Sequence, residues 1–321
     1  MKAAVYYETG KPEVLRYEDV PDPVCAPNGV VIEVAAIAIE GGDVLNRAGG
    51  LMAARPHIVG YNCAGVLREV GAQVSDRKVG DRVTALMMHG SHAERAAVPA
   101  GATWLVPAGV SFEHAACVPV AWGTAHDCLF EFGRLRAGES VLVQAGSSGV
   151  GLACVQLAKR AGAIVYATAS REKFARLSEF GVDHPIAYRE VDFADAIREL
   201  TSGRGVDLVV DSVGGDTLQR SLTCLAYRGR AISVGNVSRG DLRVDPAPLS
   251  QGNRSLTGVF LGAEVAFQTA RVRAMLDAIL RDLSRGELRT VVDRTFPLAQ
   301  AAAAHAYIES RAAFGRVVLI P

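Results

Sequence analysis

The apolar positions of this chain follow two rhythms. From residue 1 to 116 they come in short β-prone runs, VVIEVAAIAI, HIVGYNCAGVLREVG, DRVTALMM and HAERAAVPA, broken by Gly, Pro and Asp. That punctuation predicts a β-rich region. From 117 to 263 brief apolar runs alternate with helical patterns. Strands are predicted over 141–145, 164–168, 207–211, 230–234 and 255–260, with helices near 150–161, 171–180, 192–202 and 214–226. The alternation implies an α/β domain, a doubly wound parallel sheet with helices on both faces. From 264 to 321 an amphipathic helix (EVAFQTARVRAMLDAILRDLSRG), a strand pair, an Ala-rich helix and a terminal strand (GRVVLIP) form a return segment. A β-rich start, an α/β middle and a return suggest two lobes with a cleft. Ligands of such sheets bind at the carboxyl ends of the strands.

The sharpest chemical signal lies in the middle region. Ser140–Gly151 reads SVLVQAGSSGVG, an apolar run, a small-residue turn and then a helix pattern. This is the start of a dinucleotide-binding βαβ unit. Gly146 is expected to allow the tight turn, Gly149 to let backbone approach a pyrophosphate, and Gly151 to let helix pack on strand. Ser148 stands where the motif has its middle glycine. The following strand runs into Thr168-Ala169-Ser170-Arg171, with no acid at its end. An acid there would hold a ribose 2′-hydroxyl, whereas Ser and Arg suit a 2′-phosphate, so the pattern points to NADP(H).

Composition narrows the class. The chain has 321 residues, half of them hydrophobic, and a formal net charge of zero. That length supports two cores, and the neutral balance argues against nucleic acid as a partner. No apolar run reaches the ~18 residues of a membrane span. The start, MKAAVYYETGKPEVLRYEDV, carries acids and no apolar h-region, so no signal peptide is read and cytoplasm is the expected location. The six cysteines are scattered without a CxxC pair, as free thiols would be.

Ordered segments along the whole chain resemble the medium-chain dehydrogenase/reductase superfamily, most closely its zinc-free quinone oxidoreductase (zeta-crystallin) branch. They are MKAAVYYETGKPEVLRYEDV, VGYNCAGVLREVG, KVGDRV, CVPVAWGTAHDCL, QAGSSGVG, VDSVGGDT, ISVGN and HAYIESRAAFGRVVLIP. The resemblance implies a GroES-like β-barrel domain from residues 1–116, completed by 264–321, and a Rossmann NADP(H)-binding domain over 117–263. It implies that Gly146, Ser147, Ser148, Gly149 and Val150 line the pyrophosphate. Ser170, Arg171, Lys173 and Tyr188 match positions around the 2′-phosphate; Arg171 and Lys173 could instead be solvated helix charges, but a clamp is the favoured reading because no acid competes at the strand end. Val213-Gly214-Gly215, Gly235-Asn236-Val237 and Phe260-Leu261 match stretches near ribose and nicotinamide. Thr124 matches a position beside the nicotinamide, with helix capping a compatible role.

The positions matching the superfamily's catalytic zinc ligands are Glu40, Tyr61 and Val120. Valine cannot ligate zinc and neutral Tyr is a poor ligand. His89, His92, His114 and His126 show no zinc spacing, so no metal is expected. Without a Lewis acid, the easier reaction is hydride delivery to an already electrophilic carbon, in a quinone or an α,β-unsaturated carbonyl. Candidate catalytic groups are Glu40, Asp43, Tyr61 and Thr124. Glu40 could donate a proton if burial raises its pKa, or form an ion pair, with Arg47 the expected partner. Tyr61 could hydrogen-bond the substrate carbonyl, or its ring could fill the metal's place. Gly41-Gly42 suggests a close backbone approach or a wider pocket. The alternatives are an enoyl-thioester reductase, for which no basic cluster stands out in 40–60 or 240–275, and a crystallin-like NADPH-binding protein without turnover. Ser255–Leu261, SLTGVFL, should be an apolar edge strand, and a two-fold homodimer through it is expected.

Overall fold

A computed structural model describes residues 1–241 and 243–321. The chain divides into two compact units, Met1–Gly123 with Glu264–Pro321, and Thr124–Ala263.

The Thr124–Ala263 unit is built on six parallel strands. In spatial order they are His184–Ala187, Ile164–Ala169, Ser140–Val143, Val206–Asp211, Leu225–Ser233 and Ser255–Gly258. Counted along the chain this is the order 3-2-1-4-5-6 of a Rossmann sheet. The strand order reverses beside Ser140–Val143, which pairs with both Ile164–Ala169 and Val206–Asp211. Leu142, Tyr166, Ile186, Val209, Leu222 and Ala231 pack into one buried core, as expected where helices shield both faces. The helices Gly149–Arg160, Phe193–Leu200 and Gly215–Thr223 fall where the sequence predicts them. The predicted helix over 171–180 divides into a 3-10 turn, Arg171–Lys173, and a short α-helix, Phe174–Ser178.

Two strands differ from expectation. His184–Ala187 was not anticipated, because four residues containing a proline give almost no periodic signal. It lies at the sheet's edge, where a missing backbone donor is tolerated. The other edge strand ends at Gly258, and Leu261 opens the helix Leu261–Phe267. The apolar run SLTGVFL is therefore a four-residue strand, two residues of irregular chain and the start of a helix.

The other unit carries a seven-stranded sheet. Its long central strand, Gly29–Ala38, pairs antiparallel with Asn62–Val70, Arg95–Pro99 and Arg316–Ile320. The return segment thus closes onto the first lobe through Val318–Ala38 and Leu319–Ile37. A second sheet joins Arg16–Asp19, Lys2–Tyr6 and His57–Ile58. The β-rich reading of 1–116 omitted the helix Gly41–Gly49. Its entry is set by Asp43, whose Oδ2 accepts the Glu40 N–H at 2.8 Å, a capping interaction three residues apart.

Candidate active site

In the Thr124–Ala263 unit, the strand Ser140–Val143 runs into the turn Gln144–Ser147, and the helix Gly149–Arg160 follows with Ser148 as its N-cap. Ser148 Oγ accepts the Gly151 N–H at 3.0 Å. The serine in place of a glycine thus satisfies an otherwise unpaired helix donor. The left-handed residue of the turn is Ala145, at φ 53°, and not Gly146. Gly146 is needed for close approach, since a Cβ there would lie 2.7 Å from the Ala167 Cβ. A Cβ on Gly151 would lie 2.4 Å from the Ala145 carbonyl oxygen, so the helix seats on the turn itself rather than on the strand. Ser147, Ser148, Gly149 and Val150 are half-buried. They form the start of a twelve-residue helix, whose positive dipole end and free N–H groups suit a pyrophosphate.

The next pair of strand ends gathers the positive groups. Ala169 and Ala187 are register partners, so Ser170 and Tyr188 leave adjacent strands side by side. Arg171 Nε donates to Glu190 Oε2 at 2.6 Å, and Ser170 Oγ donates to Glu172 Oε1 at 2.6 Å. The strand end itself lacks an acid, as the sequence indicates, yet Glu172 and Glu190 reach it from elsewhere. Lys173 is buried in the 3-10 turn. Tyr188 is exposed, and its Oη accepts from Arg189 Nε at 3.3 Å.

Beyond the strand Val206–Asp211, Gly214 and Gly215 take φ values of 77° and 56°. The hydroxyl of Ser238 donates to Asn236 Oδ1 at 3.0 Å, and Asn236 Nδ2 donates to the Gly240 carbonyl at 2.9 Å. Gly235 sits close to Ser212, whose carbonyl oxygen a Cβ would meet at 3.2 Å. Val237 and Phe260 are exposed, whereas Leu261 is buried. Thr124 is buried inside the helix Pro119–His126, so it does not cap that helix.

The Met1–Gly123 and Glu264–Pro321 unit holds a buried polar cluster. Glu40 is buried and ion-paired through Oε1 to Arg316, not to Arg47. Asn62 Nδ2 also donates to Glu40 Oε1, at 3.3 Å. Burial raises the Glu40 carboxyl above its ordinary value against the pull of Arg316. Arg47 instead bonds Glu309 at 2.7 Å and the Gly10 carbonyl at 2.6 Å. Asp43 is fully buried, and its carboxyl is pushed well up by that burial.

Tyr61 lies against the same helix. A Cβ on Gly42 would meet the Tyr61 ring at 2.4 Å, so the glycine is the space the ring occupies. Asn46 Nδ2 donates to Tyr61 Oη at 2.6 Å. Burial and the nearby Asp43 push the phenol up to about 12. Asn46, Asn62 and Arg316 were missed in the sequence. Asn46 shares a helix face with Asp43, and an i, i+3 reading could have found it. Arg316 comes from the far end of the chain and has no local signal.

Residues 26–128 match the alcohol dehydrogenase GroES-like domain, and residues 180–319 match a domain described as zinc-binding dehydrogenase. The chain is 33% identical to the 2-haloacrylate reductase of a Burkholderia species, covering 99% of this chain and 98% of that protein. It is 35% identical to the quinone oxidoreductase of Pseudomonas aeruginosa, covering 97% of each. It is also 33% identical to the synaptic vesicle membrane protein VAT-1 homolog of Danio rerio, of whose length it spans 65% with 92% of its own. Among solved structures, the Escherichia coli quinone oxidoreductase complexed with NADPH superposes with a TM-score of 0.95 at 31% identity, over 100% of both chains.

The zinc in the second domain's description finds no fitting donors here. Glu40 is held by Arg316 and Asn62, the Tyr61 oxygen accepts from Asn46, and Val120 has no donor atom. Among the described residues no group of three or more His, Cys, Asp or Glu is placed to hold a metal. Among the described residues no helix is long and apolar enough to cross a membrane. With both domains matched and relatives aligned end to end, the chain belongs to the zinc-independent medium-chain dehydrogenase/reductase family, of the quinone oxidoreductase type.

Proposed function

We propose that this chain is an NADPH-dependent reductase of quinones or α,β-unsaturated carbonyls, with Tyr61 as the hydrogen-bond donor to the substrate's carbonyl oxygen. The observation that carries the reading is the geometry of the Tyr61 hydroxyl. Its oxygen accepts from Asn46, which leaves its own proton free to donate. With its pKa pushed up to about 12, the phenol keeps that proton throughout the neutral range. NADPH supplies a hydride when bound. As the hydride reaches the β-carbon of an enone, or a quinone ring, the C=O electrons move onto oxygen. A preplaced O–H there stabilises the developing enolate or quinol anion. Protonation by Tyr61 or water then completes a two-electron, two-proton reduction. Glu40 is the weaker proton donor, because Arg316 and Asn62 share its Oε1.

The cofactor assignment is supported by the Ser148-capped helix start and by Ser170, Arg171, Lys173 and Tyr188 at adjacent strand ends. The NADPH in the Escherichia coli structure supports it too. The Burkholderia relative is named for an alkene conjugated to a carboxylate, which fits hydride addition to an activated C=C bond. The strand Ser255–Gly258, at the sheet's edge, is the proposed surface for a two-fold dimer; light scattering that finds only monomer removes it.

The test is NADPH and NADH oxidation against 1,4-benzoquinone, 2-cyclohexenone, an enal and crotonyl-CoA. Turnover of a quinone or enone with NADPH preferred is the expected result. Turnover confined to crotonyl-CoA would make the chain a thioester reductase. Tight NADPH binding with no turnover would make it a binding protein.

A further inference from the structure

A chain of buried side chains links the ends of three strands in the Thr124–Ala263 unit. The Ala145 N–H donates to Thr168 Oγ1 at 3.0 Å, and the Thr168 hydroxyl donates to Gln144 Oε1 at 2.7 Å. Gln144 Nε2 donates to Ser221 Oγ at 3.1 Å, and the Ser221 hydroxyl donates to Asp211 Oδ2 at 2.8 Å. Asp211 Oδ1 accepts the N–H groups of Val213 and Gly214, both at 2.8 Å. All four side chains are buried.

The direction of this chain is forced. A hydroxyl has one proton; burial raises the Asp211 carboxyl above its ordinary value, but the three hydrogen bonds it accepts from Gly214, Ser221 and Val213 favour its ionised form, which only accepts. Asp211 therefore claims the Ser221 proton, so Ser221 must accept from the Gln144 amide nitrogen. The Gln144 oxygen then faces Thr168 and takes its proton, so Thr168 can only accept at Ala145. Reversing the Gln144 amide would aim two acceptors at the one Ser221 proton. Each link fixes the next, and such a chain acts as one object. At one end it holds Ala145, the left-handed residue of the turn before the Ser148-capped helix. At the other it holds Val213-Gly214, whose left-handed Gly214 opens the helix Gly215–Thr223.

We propose that Thr168, Gln144, Ser221 and Asp211 form a one-way hydrogen-bonded strut that sets the turn at Ala145 and the turn at Gly214 as one unit, so that they are positioning residues for the dinucleotide. The inference rests on the cofactor reading above and goes beyond it, since none of the four needs to touch the cofactor. Breaking the strut anywhere should loosen both turns and leave the Arg171 and Tyr188 region as it is.

The test is NADPH affinity, read from the cofactor's own fluorescence, beside adenosine 2′-monophosphate, which probes only the 2′-phosphate region. Ser221→Ala and the isosteric Thr168→Val should each weaken NADPH about tenfold, as a lost buried hydrogen bond does. Adenosine 2′-monophosphate affinity should stay unchanged. Thr168→Ser, which keeps the hydroxyl, should bind NADPH like wild type. Ser221→Ala with Thr168→Val should bind no more weakly than the weaker single variant, because either break releases the whole chain. Unchanged NADPH affinity in both single variants, equal losses for both ligands, or additive losses in the double variant would each overturn the strut. If Ser221→Ala does not fold, Thr168→Val and Thr168→Ser carry the comparison. A wild-type chain that binds no NADPH would remove the cofactor reading itself, and the strut with it.

Discussion

The two units each bury a cluster of polar side chains, and the clusters are finished to different degrees. Around Asp211 both carboxylate oxygens, both hydroxyls and both ends of the Gln144 amide have partners. Around Glu40 and Asp43 several buried atoms have none among the described residues: Tyr6 Oη, Asp43 Oδ1, Asn62 Oδ1 and Arg316 Nε. A satisfied network is rigid and has one arrangement, whereas unsatisfied buried atoms cost stability and persist where function needs them. The difference matches the tasks proposed for the two units. A cofactor presents the same shape at every turnover, so its turns gain from being locked. A substrate brings its own polar atoms, and Tyr61 beside this cluster keeps its own proton to offer one of them.

The comparison breaks first if the unfinished cluster is not held together by its ion pair. Arg316→Ala leaves Glu40 buried without its cation, and the expected loss is about 3–5 kcal/mol of stability in urea unfolding at neutral pH. Glu40→Gln with Arg316→Met removes both charges and should recover most of it. A loss below ~1 kcal/mol for Arg316→Ala would show that the pair holds nothing. Next in size is Tyr61→Phe. If the phenol is the oxyanion donor, kcat should fall about a hundredfold with the NADPH KM unmoved. Asn46→Ala should cost less, about tenfold, because it only aims that hydroxyl. With the phenol raised to about 12, a basic limb from Tyr61 should be absent from the neutral range of the rate profile. A limb near pH 9, lost in Tyr61→Phe, would contradict the assigned burial.

A histidine pair sharpens the same contrast through pH. His92 Nε2 and His305 Nε2 lie 3.2 Å apart, both buried, so one ring must donate and the other accept, and neither can carry charge cheaply. Burial lowers His92 to about 3 and His305 well below its ordinary value. The folded-state values are depressed, so as pH falls through the unfolded value of ~6.5 the unfolded chain takes protons first. Stability from His92 is therefore fully present above that pH and is lost progressively on acidification. Between pH 7 and 5 the loss from this one group is about 2 kcal/mol. Asp43, raised by its burial, works in the opposite sense, so the clean measurement is a difference. His92→Gln should flatten the pH dependence of urea unfolding, and an unchanged slope would show that the pair is not neutral when folded.

What could be read from the sequence divides along the same line. The nucleotide turn was legible because its parts are contiguous: Gly146, Ser148 and Gly151 sit within six residues between a strand and a helix. Even there, Ala145 was missed as the left-handed residue, since alanine carries no signal for positive φ. The strut was invisible, because Gln144, Thr168, Asp211 and Ser221 become neighbours only through strand order. The candidate catalytic cluster was half legible. Glu40, Asp43 and Tyr61 were picked out by the positions they match, while Glu40's true partner waits at position 316, paired by the return strand. Arg47, one or two turns away in sequence, was the natural local guess, yet the fold turns it toward Glu309. Helical spacing says which residues share a face and is silent on chain that returns after more than two hundred residues.

The smallest expected effect concerns the rim of the cofactor unit. Arg171 and Glu190 are both exposed, so water and salt screen the pair and its stability role is slight. Their role in affinity has a sign that a simple clamp would not predict. On the proposed clamp, a 2′-phosphate takes the place of Glu190 on Arg171, and the displaced carboxylate remains as a nearby negative charge. Glu190→Gln removes that competitor while leaving the guanidinium in place. NADPH should bind a few-fold more tightly to this variant, NADH should be unaffected, and the NADPH gain should shrink as salt is raised, because the groups are solvent-exposed. Arg171→Ala should do the reverse, weakening NADPH several-fold and sparing NADH. If Glu190→Gln weakened NADPH instead, Glu190 would be holding Arg171 in its binding pose, and the carboxylate would be part of the clamp rather than its competitor.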